Sequence, residues 1–272
     1  MSYIPLMARI DSLPPLPESV IEIEQLFLNE YPDINMLVDI ITKDPSLTVD
    51  ILSKVNAPLY GFSKTIISIV QAVTLFGAPQ IRSIALSSSI QRSFDIDLSP
   101  YSISTVTFPK ISITQSELLF QWYMNIDINM ARDLAPIVFL METGKILIAK
   151  EIIESDKIDI FQKDLRTYEN ISDVENIHTM MNTTQVSALV FKQLHLNEKF
   201  SLVMQYLDDD KEVPSSMKDT ITIIKIIRTA INIENQLNEY SLSQAFELLE
   251  KNNYNIDIFK RAVKRVKTKY YE

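Results

Sequence analysis

The sequence contains no cysteine. Disulfides, thiolate nucleophiles and thiolate-bound metals are therefore excluded. Glycine is almost as scarce: Gly61, Gly77 and Gly144 are the only three in 272 residues. They lie too far apart to build the phosphate cradle of a dinucleotide fold or a P-loop. The two histidines, His178 and His195, fall on different predicted helices. They read as unrelated side chains, solvent-facing or capped, the alternative being a cation site that joins them to Asp208 or Asp209. Long apolar runs are also missing. The longest uncharged stretch, 65–81, contains Ser68, Gln71, Gly77, Pro79 and Gln80, and reads as a buried helix rather than a membrane span. Arg9 and the prolines up to Pro17 interrupt any apolar core of a signal peptide. Positive charge is in deficit, 26 Lys and Arg against 35 Asp and Glu. The resulting net charge of −9 argues against DNA or RNA as the main ligand, because such binding is mostly cation-to-phosphate contact. A cytoplasmic protein is expected.

What the chain does have is apolar periodicity at helical spacing, with 46% hydrophobic and 22% charged residues. Its best-punctuated part is 43–89. Asp44 followed by Pro45 starts a helix bearing Leu47, Ile51, Leu52 and Val55. That helix should stop near Asn56, since Pro58 disfavours helical geometry in the residue before it and a tight turn, Pro58-Leu59-Tyr60-Gly61, follows. Ser68 with Gln71 has capping-box spacing, Gly77 sits where a left-handed C-cap is wanted, and Pro79 opens a third helix. Upstream, Pro17 opens one helix and Asp33 caps another.

Downstream, Pro100, Pro109 and several β-branched residues predict an irregular connection over about 95–114, with a strand pair as the alternative. This connection is the expected seam between two halves. Helix should resume at about Gln115, with Leu118, Leu119, Trp122, Ile126 and Met130 on one face. A second, nearly all-apolar helix is expected from Pro136 to about Ile153, in the centre of the fold. Ser172 with Glu175, Asn182 with Gln185, Asn197, and Ser241 with Gln244 mark later helix starts. A long helix around 221–233 and a last one from about Ile256 complete the pattern. The basic residues Lys260, Arg261, Lys264, Arg265, Lys267 and Lys269 on that last helix suit its C-terminal dipole. Docking on an acidic partner is the alternative.

The segments LPPLPESV (13–20), DPSLTVDILSKVNAPLYG (44–61) and SIVQAVTLFG (68–77), in this order and closely spaced, resemble the HDOD family, the HD-related output domains of bacterial signalling proteins. The resemblance implies an all-α protein. It predicts a compact multi-helix HDOD domain over 11–210, made of an N-terminal helical half at 11–95 and a degenerate HD-like core at 110–210. A C-terminal helical extension at 211–272 would pack on it.

Catalytic HD phosphohydrolases, to which the family is related, hold metal ions with histidines and aspartates. Here the corresponding positions fall on Met124, on Met141 and Glu142 in place of the His-Asp pair, and on Thr183. Two thioethers and a hydroxyl do not replace imidazoles around a hard cation. The resemblance therefore implies a non-catalytic output or adaptor module with no cofactor and no metal, binding a bacterial signalling protein. No receiver or cyclase domain fits beside it in this length, so its input should come from a separate protein. The alternatives are a phosphohydrolase with an unrecognised ligand set, and a nucleotide sensor using the degenerate pocket. Asn56, Tyr60, Gly61 and Arg82 are the candidate partner-binding residues. Asn56 could instead bond its own backbone, Tyr60 could pack its ring beneath the loop with its hydroxyl in solvent, and Arg82 and Arg92 could form exposed ion pairs.

Overall fold

Side-chain caps set several of the helix starts in the computed structural model, which describes residues 3–29, 31–60, 62–92, 96–208 and 213–271. Asp33 accepts hydrogen bonds from the amides of Asn35 and Met36, Asp44 from that of Leu47, and Ser68 from that of Gln71. Gln71 answers through the amide of Ile67 rather than that of Ser68. Asn182 and Gln185 form a complete capping box, and Asn197 caps the helix that follows it.

The described residues form sixteen α-helices: α1 (Tyr3–Asp11), α2 (Glu18–Leu26), α3 (Ile34–Lys43), α4 (Pro45–Val55), α5 (Ile69–Phe76), α6 (Ala78–Arg92), α7 (Thr107–Tyr123), α8 (Ile128–Leu140), α9 (Gly144–Glu154), α10 (Ile158–Leu165), α11 (Ile171–Thr179), α12 (Thr183–Gln193), α13 (Glu198–Leu207), α14 (Lys218–Ala230), α15 (Glu239–Lys251) and α16 (Ile256–Tyr270). Among the described residues there is no strand, only an isolated antiparallel bridge between Ile231 and Gln236. No described helix is by itself long and apolar enough to cross a membrane; α5 and α6 pass only as a pair bent by 117°.

Several expected boundaries move, each for a local reason. Helix α7 begins at Thr107 instead of near Gln115, inside the stretch read as irregular. Pro109 sits in its first turn, where a missing N–H costs no intrahelical bond, and Ser104 caps the Thr107 amide. That helix ends at Tyr123, and Asp127 starts α8 by accepting from the amides of Asn129 and Met130. Ile126 lies in the break, half exposed, and does not share a face with Leu118. Pro136 is inside α8 rather than opening a helix. Burial of Ala131, Leu134, Ile137 and Val138 offsets the lost hydrogen bond. The apolar run 136–153 is divided by a turn at 141–143. Asn170 and Asn238, not Ser172 and Ser241, cap α11 and α15. Gly77 has a positive φ of 78° but ψ of 153°, outside the left-handed helical region.

The chain forms two compact units, each assembled from separated stretches. One comprises Met1–Pro14, Asp95–Gln115 and Leu140–Ile258; the other comprises Pro15–Phe94, Ser116–Phe139 and Phe259–Glu272. In the first, α12 packs along α13 and across α9, and α14 pairs with α15. Ile148, Val186, Phe191, Val203, Ile223 and Ile227 are fully buried there. In the second, α6 lies against α2, α4 and α5. Trp122 meets Phe259 edge-on at 4.9 Å between ring centroids.

Arg82, expected in an exposed ion pair, is only 8% exposed. Its guanidinium donates two hydrogen bonds of 2.7 Å to Glu24 and lies 4.9 Å from the Phe27 ring centroid. Arg82→Ala leaves the Glu24 carboxylate unpaired in a mostly buried site. A loss of about 3 kcal/mol is expected from urea unfolding. An unchanged midpoint would show that the pair contributes nothing. Arg92 pairs with Asp50.

Candidate functional site

The turn between α8 and α9 carries the residues at the expected HD-motif position. It closes tightly, with the Thr143 amide donating to Leu140 O at 2.9 Å and that of Lys145 to Glu142 O at 3.1 Å. The start of α9 is pressed onto the start of α12. The Gly144 amide donates to Ser187 Oγ at 2.8 Å, and Ser187 Oγ donates to the Met141 carbonyl at 3.1 Å. A side chain at 144 would meet backbone, since a Cβ built there falls 2.2 Å from Thr183 O.

This contact places Glu142 and Lys145, three residues apart, in the interior, 2% and 3% exposed. Lys145 Nζ lies 3.1 Å from Glu142 Oε2, donates to Thr183 Oγ1 at 2.9 Å and reaches Glu175 Oε1 at 3.2 Å. Glu175 is saturated with donors. Its Oε1 also accepts from Tyr101 Oη at 2.8 Å and Thr183 Oγ1 at 2.6 Å, and its Oε2 from the Thr183 amide at 2.6 Å. Arg228 on α14 completes the set. Its guanidinium forms a two-pronged pair with Asp208 at 2.6 and 3.0 Å, and its Nε lies 3.8 Å from Glu142 Oε1. Ser172 and Thr184 both donate to Asp208 Oδ2 at 3.2 Å.

Electrostatics follow from these neighbours. Burial works against the Glu142 charge, but the Lys145 ammonium and the Arg228 guanidinium outweigh it and hold the carboxyl below its usual range. Burial likewise works against Lys145, and Glu142 and Glu175 more than compensate, raising its pKa. Asp208 is lowered against burial, chiefly by Arg228. The Tyr101 hydroxyl is pushed well up by burial and by the Glu175 charge. Buried charge is here compensated charge.

Above the network opens a cleft of about 470 Å³, to which Glu142, Asp208, Lys225, Arg228, Tyr240 and Gln244 contribute. Among the described residues no group of three or more His, Cys, Asp and Glu side chains is placed to hold a metal ion.

The HDOD domain family model matches residues 13–209. The chain belongs to the HDOD family. A crystal structure of an HDOD domain protein with unknown function from Geobacter sulfurreducens is similar at TM-score 0.63 and 17% identity, over 97% of this chain and 96% of that one. A structure described as a signal transduction protein from Marinobacter aquaeolei VT8 is similar at TM-score 0.68 and 14% identity, over 94% of this chain and 57% of that one. An uncharacterized protein of Treponema pallidum (strain Nichols) is 30% identical over 79 residues, 29% of this chain, and the match spans 15% of that curated relative's length. At these identities the structural likenesses concern the all-helical fold.

Within the HDOD chain, Met141, Glu142 and Thr183 share one unit, and Met124 belongs to the other. There Met124 Sδ lies 4.0 Å from Arg265 Nη1. His178 and His195 are not brought together as ligands. His178, expected in solvent or at a cap, is buried, its Nε2 2.8 Å from Asp164 and its ring edge-on to Phe161, while His195 is exposed. Asp208 stands at the exposed C-terminal end of α13 with its carboxylate paired to Arg228, and Asp209 and Asp210 lie outside the described residues.

Of the partner-binding candidates, Gly61 also lies outside the described residues, and the other three turn inward. Asn56 donates to Leu52 O and Ile66 O and accepts from the Ile66 amide, all at 2.8 Å, thereby pinning the segment that leads into α5. Tyr60 packs edge-on against Phe76 at 4.7 Å. Its hydroxyl is buried rather than in solvent, and burial, reinforced by the Glu117 charge, raises its pKa. Sequence reasoning missed Tyr101, Glu175 and Arg228. Glu175 carried only a capping signal, and Arg228 lay unremarked in a predicted helix.

Proposed function

We propose that this HDOD chain is a non-catalytic output or adaptor module of bacterial signalling, located in the cytoplasm, that binds a protein partner. One observation carries the reading: at the HD-motif position the Glu142 carboxylate is held by the protein's own ammonium, Lys145, which Glu175 and Thr183 also hold. A divalent cation drawn to these carboxylates has to displace that buried group. It finds a thioether at Met141 and a hydroxyl at Thr183 where imidazoles are needed. Family membership and the signal-transduction description of the Marinobacter aquaeolei structure support a regulatory role.

The partner surface we assign is the outer face of α5, where Val70 and Leu75 are 58% and 55% exposed. Large apolar side chains left in solvent on a short helix suit a protein contact. Asn56 and Tyr60 would serve this surface from beneath, by fixing the approach to α5 and its far end.

Two assays test the proposal. The protein incubated with Mg2+ or Mn2+ and p-nitrophenyl phosphate is expected to show no hydrolysis above blank. Mild cross-linking in native cytosol is expected to enrich one protein that a folded Val70→Glu, Leu75→Glu variant does not. Metal-dependent hydrolysis abolished by Glu142→Gln would overturn the reading in favour of a phosphohydrolase. A capture pattern identical for both chains would remove α5.

A further inference from the structure

Helix α16 carries six cations, Lys260, Arg261, Lys264, Arg265, Lys267 and Lys269, and one carboxylate, Asp257, in a chain whose net charge is −9. Its apolar face, Phe259, Ala262, Val263, Val266 and Tyr270, is buried, which turns Lys260, Arg261, Lys264, Arg265 and Lys269 outward. The helix dipole accounts for two of these charges only. Its effect falls off within the last turn, which holds Lys267 and Lys269, and the other four cations lie upstream of it. Ion pairing does not account for the rest of the stripe. Lys269 pairs with Glu117 at 3.2 Å, but Arg265 donates to the neutral Gln121 Oε1 at 3.1 Å, and Arg261, Lys264 and Lys267 have no hydrogen-bond or ion-pair partner among the described residues. Lys260 and Lys264, Arg261 and Arg265, and Arg265 and Lys269 are moreover like charges four residues apart, a spacing at which they destabilise a helix. An anion laid along this face relieves that repulsion. The whole helix lies beyond residue 209, where the family match ends.

We infer that the exposed face of α16 binds an acidic segment of a protein partner, a run of aspartate and glutamate side chains laid along Arg261, Lys264 and Arg265. Charge complementarity selects this ligand, since guanidinium groups hold carboxylates with paired N–H donors and the lysine adds a point charge. Two observations favour a short segment over an extended polyanion. With its apolar face buried, α16 has no large apolar side chain to insert into a bilayer. A membrane or a nucleic acid also meets the rest of a chain of net charge −9, whereas a short segment meets only charges within about 8 Å at physiological ionic strength. The inference does not rest on the α5 reading.

Fluorescence anisotropy of the full chain with a labelled peptide of alternating glutamate and alanine pairs, which offers α5 no large apolar side chain, tests it. The peptide is expected to bind at low ionic strength with a Kd below about 0.1 mM and to lose affinity as salt is added, while its glutamine counterpart does not bind. One variant carrying Arg261→Gln, Lys264→Gln and Arg265→Gln should bind about tenfold more weakly or worse. It should fold, because all three side chains are exposed and fewer like charges face each other. A second variant, with Lys43→Gln, Lys163→Gln and Lys192→Gln, removes the same charge from exposed positions on α3, α10 and α12 and should bind as the wild type does. Phosphatidylserine vesicles and a DNA duplex, titrated at equal concentrations of negative charge, should bind more weakly than the peptide. No binding of the peptide, equal losses in the two variants, or tighter binding to vesicles or duplex overturns the inference.

Discussion

Gly144→Ala is expected to destabilise the protein by about 3 kcal/mol or more, at the upper end of what overpacking costs. In an ordinary helix the same change is favourable by up to about 1 kcal/mol, since alanine has the higher helical propensity. Here the steric effect wins. The added Cβ would stand 2.2 Å from Thr183 O and 3.0 Å from both Ser187 N and Ser187 Oγ, and two of those atoms are backbone that no rotamer change can move aside. The start of α12 would have to shift away from α9. That shift would pull the Thr183 amide and hydroxyl from Glu175, to which each now donates at 2.6 Å. Urea unfolding of both proteins measures the cost. Ser187→Ala added to Gly144→Ala should not restore stability, because it removes only the hydroxyl. A Gly144→Ala protein as stable as the wild type would rule out the close helix approach.

Lys145→Met should cost about 3–5 kcal/mol, because Glu142 and Glu175 lose the ammonium they share while remaining buried. Its pH dependence is more diagnostic than its size. In the wild type the Glu142 and Asp208 pKa values lie below their ordinary 4.5 and 3.8. Groups lowered on folding contribute stability that is complete above those ordinary values and is lost as pH falls through the folded ones. Lys145 is raised above its ordinary 10.5, so its contribution is complete below that value and is lost as pH rises through the folded one. Between pH 5 and 8 the wild-type network therefore contributes a constant amount.

In the variant, burial of Glu142 meets less opposition and its folded pKa rises above the unfolded one. A raised carboxyl contributes stability at low pH that is lost as pH rises. The variant is therefore expected to become more stable from pH 8 to pH 5, where the wild type does not change through this site. Urea midpoints at three pH values across this range decide the matter. A variant with a pH-independent deficit would mean that water or Arg228 replaces the ammonium.

Local chemistry made part of this protein legible. Asp33, Asp44, Ser68, Asn182 and Asn197 cap helices because an Asp, Asn or Ser oxygen satisfies amides two or three residues ahead, whatever the rest of the chain does. The same locality failed at Ser172 and Ser241, where an asparagine outside the helix was also in reach of the first amides. The freed hydroxyls then bond elsewhere, Ser172 to Asp208 and Ser241 to Ala230 O. Proline misled where packing overrode its cost, at Pro136 within a buried helix, and where its position made it harmless, at Pro109.

The sequence by itself determined that the chain is helical, that it belongs to the HDOD family and that cysteine chemistry is absent. From the resemblance it also raised the expectation that Met141, Glu142 and Thr183 stand where metal-binding relatives carry ligands. Tertiary structure alone decided what fills that place, because Tyr101, Lys145, Glu175, Asp208 and Arg228 come from segments with no spacing rule between them. Their pairing depends on burial, which makes an unpaired charge so costly that each carboxylate and cation takes a partner from whichever helix the core brings near.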